Sequence, residues 1–112
     1  MRESSVVLTP ITQANGIIKN RPAIVLRYMP PHNDVLVCGV STQLHHYVED
    51  FDEIISVNDS DFSSSGLLKK SLIRLGFLAV LPTNRIIGTI GYIAPERHQR
   101  LLKALSKYLI NN

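Results

Sequence analysis

Only one long stretch of this chain carries a helical period, and it lies at the C-terminal end. From Pro95 onward, His98, Leu101, Leu102, Leu105, Tyr108 and Leu109 form one apolar stripe at helical spacing. Pro95 is tolerated in a first helical turn and marks the start. Arg97, Arg100, Lys103 and Lys107 fall mostly off the stripe, and their bias toward the later turns suits the helix dipole. Upstream, the apolar runs are short and interrupted by Pro, Gly, Asn and Asp. The expected class is therefore mainly β with a C-terminal helix, as a small curved sheet or barrel with the helix packed on it.

The runs can be placed in order. Val6–Leu8 reads as a first strand ended by Thr9-Pro10, and residues 12–20 as a loop with a turn at Asn15-Gly16. Ile17 and Ile18 form the rim of a returning strand whose body is Ala23–Met29. Pro30-Pro31-His32-Asn33-Asp34 is a turn, because paired prolines exclude helix and central strand. Asp34–Ser41 is a third strand. Glu53–Val57 is the best part of a short one, and Asn58–Gly66 is a loop in which Gly66 can take positive φ. Ser71–Leu75 is a strand continued by Phe77–Leu81 as strand or turn. Arg85–Ile93 is strand-like, with Gly88 and Gly91 allowing a bulge.

Size and composition narrow the function classes. The 112 residues suit a single domain, 1–112, and 45% apolar content supplies a core. The 19% charged fraction is low enough to suggest surface buried against a subunit or partner. A net charge of +3 is compatible with nucleic acid. Six of the nine acids lie between Glu49 and Asp61, and no Lys or Arg occurs between Arg27 and Lys69. The basic residues thus form two blocks, and a fold that joins them has a positive face; the acids equally suit a solvated loop. Cys38 is the sole cysteine, so no intrachain disulfide forms, which suits a reducing compartment. With neither signal peptide nor bilayer-length apolar run, a cytoplasmic location without membrane association is expected.

Metal and cofactor chemistry find little footing. His45 and His46 are adjacent and on a strand would face opposite ways; His32 and His98 lack ligands at useful spacing. No phosphate loop and no Gly-x-Ser-x-Gly elbow is present. No metal and no cofactor is expected, and His45 or His46 is instead a candidate contact for a phosphate or base.

The segment that organises the chain chemically is Lys19-Asn20-Arg21-Pro22-Ala23-Ile24-Val25-Leu26. Arg21 carries a fixed charge and a planar set of donors, and Pro22 holds it in extended backbone. If the second and third strands are antiparallel neighbours, Arg21 at the start of one and Ser41 at the end of the other reach the same sheet edge. A guanidinium with a hydroxyl is what stabilising a phosphoryl-transfer transition state requires. Gln43 adds an amide two residues on, and Arg74 a second cation. Strand-end polarity alone also accounts for Ser41 and Gln43.

Four blocks resemble the PemK/MazF-like toxins of bacterial toxin–antitoxin systems. They are Val6–Pro10 followed by Lys19–Leu26, Val40-Ser41-Thr42-Gln43, Gly66–Leu75, and Arg85–Gly91 leading into the terminal helix. The resemblance implies an SH3-like barrel of the PemK/CcdB-like kind, working as a homodimer. It implies a metal-independent endoribonuclease that cuts single-stranded RNA, often mRNA, by attack of the ribose 2′-hydroxyl on the adjacent phosphate. By position Arg21 resembles the family's catalytic arginine, a role that implies stabilising the phosphorane and donating a proton to the leaving oxygen. Ser41, where threonine is usual, polarises the scissile phosphate. Gln43 and Arg74 match substrate-contacting positions, and Lys19, Thr42 and His45 complete the candidate binding set.

Departures accompany the match. Ser4-Ser5 replaces a usual Gly-Asp, and Gly76 stands where some members carry an acid two residues after the arginine. These motivate an alternative, a noncatalytic toxin-fold protein acting on a protein target such as gyrase. A cognate antitoxin is expected in either case, as an acidic, partly disordered segment that folds over the basic groove.

Overall fold

The structure, a computed structural model, describes residues 1–12 and 14–111. The strands are β1 (Ser5–Thr12), β2 (Ile18–Met29), β3 (Asp34–Ser41), β4 (Glu53–Ile55), β5 (Ser71–Leu81) and β6 (Gly88–Tyr92). A one-turn helix α1 (Phe62–Ser65) precedes β5, and α2 (Pro95–Ile110) ends the chain. The six strands form one antiparallel sheet in the order β4-β5-β3-β2-β1-β6. It curls into a half-barrel with α2 against one face, the mainly β class with a C-terminal helix that the sequence predicts.

Register explains why the strands read as continuous apolar runs. Val6 pairs with Ile24 and Ile24 with Cys38, and all three join the cluster that receives Leu101 and Leu105 of α2. Val7 pairs with Ala23 and Val25 with Val37, and these face the other way, with Val35, Ala79, Leu81 and Ile86. Side chains alternate along a strand, so a sheet apolar on both faces needs every residue apolar.

Several boundaries differ from expectation. β1 does not stop at Thr9-Pro10 but runs to Thr12, with Pro10 opposite Asn20. It pairs with β6 only through Leu8, so Pro10 sits where β1 has become an edge and its missing N–H costs no ladder bond. β2 likewise starts at Ile18, which places Lys19 and Asn20 within a strand rather than in a loop, and Arg21 inside that strand rather than at its start. Gln13, assigned to that loop, lies outside the described residues. β5 is continuous to Leu81, but its register against β3 jumps: Arg74 pairs with Gly39 and Leu78 with Cys38. Leu75, Gly76 and Phe77 are thus extra residues. Arg85 sits in a 3₁₀ turn ahead of β6, and Gly66 takes φ 74° as the cap of α1. At Gly91 a Cβ would lie 2.1 Å from the Ser64 carbonyl oxygen, so glycine lets α1 lie against β6.

The helix brings two further corrections. Arg97 is not on an outer face but 7% exposed, within the first turns of α2. Its Nε and Nη2 donate to Asp61 at 2.8 and 3.1 Å, its Nη1 to Glu53 at 2.9 Å, and its Nη2 also to Asp59 at 3.0 Å. The acidic segment is therefore a binding site for the chain's own arginine as much as a solvated loop. At the other end, Tyr108 and Leu109 of the apolar stripe are exposed, as is Ile110. His98 is buried with its Nε2 2.8 Å from the Leu26 carbonyl oxygen.

Candidate functional site

Where β2 begins and β3 ends, the sheet opens into a cavity of about 430 Å³. Arg21, Ser41, Thr42, Gln43 and Arg74 all line it, together with Ile11, Thr12, Ala14, Gly39, Val40, His46 and Phe77. Antiparallel pairing brings the two cations and the hydroxyl together. Ala23 faces Gly39 across β2 and β3, and Gly39 faces Arg74 across β3 and β5. Arg21 and Ser41, two residues outward on each strand, therefore reach one wall of the sheet.

Local backbone fixes the polar groups. The Gln43 N–H donates to Ser41 Oγ at 3.0 Å, which occupies one lone pair and leaves the hydroxyl proton available to donate. The Leu44 N–H donates to the Thr42 carbonyl at 3.0 Å and the His46 N–H to that of Gln43 at 3.1 Å. These bonds wind Leu44–His46 into a 3₁₀ turn. His45 and His46 consequently do not point to opposite faces; their rings touch, with centroids 4.2 Å apart. His46 enters the cavity, whereas His45 and Lys19 are exposed outside its lining.

Asp52 bridges two segments that each run on from a residue lining the cavity. Its Oδ2 accepts the Val48 N–H and its Oδ1 the Leu75 N–H, both at 3.0 Å. The second bond satisfies an amide that the β5 bulge removes from the ladder. One carboxylate thus pins the segment after His46 to the strand that carries Arg74. The sequence singled out neither Asp52 nor Phe77: both depend on a register shift that no periodicity announces.

Gly76 also looks different in three dimensions. A Cβ there would approach Phe51 at 3.9 Å, and Gly76 is absent from the cavity lining. The bulge brings in Phe77 instead. Cys38, at the adjacent register, is buried, and burial pushes its thiol up to about 12. It is a core residue rather than a nucleophile.

No carboxylate is among the described lining residues, so the cavity presents two guanidinium groups, hydroxyls, an amide, an imidazole and an aromatic ring. That set suits an anion carrying a planar, apolar group. Among the described residues no cluster of three metal-ligating side chains occurs, and no helix is long and apolar enough to cross a membrane.

Residues 3–109 match the family model described as PemK-like, MazF-like toxin of type II toxin-antitoxin system. Among solved structures the fold is similar to that of Mycobacterium tuberculosis toxin MazF-mt6. The TM-score is 0.70 at 15% sequence identity, over 96% of this chain and 98% of that one. No curated protein matches the sequence.

Proposed function

Because the chain belongs to the PemK-like, MazF-like toxin family of type II toxin–antitoxin systems, we propose that it is a metal-independent endoribonuclease cutting single-stranded RNA. The observation that carries this reading is that Arg21, Arg74 and Ser41, from three strands, line one open cavity. In the step proposed, the 2′-hydroxyl of one nucleotide attacks its 3′-phosphate. The O2′–P bond forms and the P–O5′ bond breaks, leaving a 2′,3′-cyclic phosphate and a 5′-hydroxyl. Arg21 and Arg74 bind the phosphoryl oxygens as charge builds on them, and the Ser41 hydroxyl donates to another. An Arg21 N–H hydrogen-bonds the departing 5′ oxygen and supplies its proton. The 2′-hydroxyl proton needs an acceptor, and His46 is the one imidazole among the described lining residues. Gln43 and Thr42 sit beside Ser41 as substrate contacts, while Lys19 and His45 serve the flanking backbone from outside.

The same reading makes residues 1–112 one toxin domain acting in the cytoplasm. It also implies a homodimer, supported by the apolar Tyr108, Leu109 and Ile110 left exposed on α2. A cognate antitoxin covering the cationic cavity completes the system. No observation favours a protein target such as gyrase over RNA.

End mapping of RNA treated with the protein, in the presence of chelator, tests the proposal. Cyclic-phosphate ends at recurrent short sequences are expected. Arg21→Ala should slow cleavage about 10²-fold or more, the usual cost of removing a transition-state donor. His46→Ala should slow it with binding unchanged. Intact RNA with wild type, or equal activity in Arg21→Ala, overturns the reading.

A further inference from the structure

We infer that Phe77 is a stacking platform for one unpaired base of the RNA held at Arg21 and Ser41. The inference rests on the ribonuclease reading and adds to it the residue that recognises nucleobases. Phe77 is 43% exposed and lines the cavity that holds both Arg21 and Arg74, the one aromatic hydrocarbon ring among its described lining residues. A single exposed aromatic needs no explanation; the backbone built around this one does.

Two features put the ring there. First, three residues are inserted in β5 between the Arg74–Gly39 and Leu78–Cys38 pairs. Uninterrupted alternation would send position 76 to the face of Arg74. With the insertion, position 76 faces Phe51 and Phe77 enters the cavity. Asp52 satisfies the Leu75 amide exposed by the shift. Second, the ring lies over Gly39, where a Cβ would stand 2.9 Å from Cδ1 and 3.3 Å from Cγ. Any side chain at position 39 would lift the ring from the strand. Glycine therefore leaves room for the base of the ring against β3, and the 43% exposure leaves part of the ring open.

The chemistry of the ring names its ligand. Phenylalanine has no hydrogen-bonding tip, so it cannot read a base edge, but every base has a π-face. Bases within a duplex are covered by their neighbours, whereas splayed single-stranded bases are free to stack on protein aromatics. Phe77 therefore confers preference for unpaired RNA without dictating sequence. Arg21 and Arg74 in the same cavity hold the backbone that carries the stacked base.

The test is binding of an RNA oligonucleotide spanning a mapped cut site, protected by a 2′-deoxy sugar at the scissile nucleotide. Phe77→Leu keeps an apolar cover on Gly39 and should weaken binding about 5- to 150-fold, the range for loss of one stacked base. Phe77→Tyr should stay close to wild type. An abasic substitution at one nucleotide should cost wild type a similar factor and cost Phe77→Leu little more. Melting curves establish that the variants are folded. Should Phe77→Leu fail to fold, Gly39→Ala displaces the ring without removing it and must show the same base-specific loss. The inference falls if wild type binds and cleaves while the folded variant matches it. It also falls if Tyr fails as Leu does, or if the variant and abasic losses multiply at every nucleotide. If wild type neither binds nor cleaves RNA, the ribonuclease reading falls and this inference with it.

Discussion

Two pairs of arginines occupy opposite kinds of site. Arg97 and Arg100 on α2 meet the acids of the 53–61 segment, and Arg97 alone makes four hydrogen bonds to three carboxylates. Arg21 and Arg74 meet at a cavity whose described lining residues include no acid. The same side chain thus sits among carboxylates on α2 and, in the other region, lines a cavity with hydroxyls, an amide and a ring, where the proposed function gives it recognition. Burial pushes the Asp61 carboxyl up. The hydrogen bonds from Arg97, the Ala94 N–H and the Arg97 charge more than offset this, and its pKa falls below the ordinary 3.8. Burial alone would lower the Arg97 pKa, but Asp61, Glu53 and Asp59 raise it. The difference between the regions lies in what surrounds the cation, and the cation count along the chain does not reveal it.

The contrast breaks if a structural arginine can be removed without loss of stability. Arg97→Ala leaves Asp61 buried and unpaired, so it should destabilise the fold by about 3–5 kcal/mol. Denaturant unfolding measures this, and cleavage per folded molecule should persist. Arg21→Ala, by contrast, should melt within about 0.5 kcal/mol of wild type despite its lost activity. A variant that lost stability in proportion to activity would erase the distinction.

Acid sharpens the comparison further. The stabilisation from ionised Asp61 is complete above the ordinary carboxyl pKa near 3.8. It declines as pH falls below that value and is gone below the folded-state pKa. Unfolding free energy should therefore drop below about pH 4, and the Asp61→Asn protein should show a smaller drop. The least effect belongs to Arg100, whose side chain is 55% exposed while pairing with Glu53. Arg100→Ala should cost no more than about 1 kcal/mol, and less as salt is added.

Much of the fold was legible because it rests on local pattern. Pro95 and the leucine spacing announced α2, the proline turn separated β2 from β3, and Asp34–Ser41 was readable end to end. Strand ends were harder. Pro10 and Pro22 look like breakers, yet both lie within strands, because each sits where one neighbouring strand has stopped pairing. Of the residues lining the cavity, Arg21, Ser41, Gln43 and Arg74 were nominated from a cation, a hydroxyl and their places in the strand order, and Thr42 through the family resemblance. His45 was chosen over His46 because adjacent residues cannot be told apart until the turn between them is known.

By itself the sequence determined that a mostly β body ends in one amphipathic helix, and that Arg21 and Ser41 lie on neighbouring strands toward one sheet edge. These follow from side-chain period and antiparallel pairing, which act over a few residues. Tertiary structure alone decided that Arg97 is set among carboxylates, that Asp52 ties the segment after His46 to β5, and that Phe77 rather than position 76 enters the cavity. Those outcomes depend on a three-residue register shift and on segments brought together from far apart in the chain. Shape and charge balance across strands choose such contacts, and no local pattern encodes them.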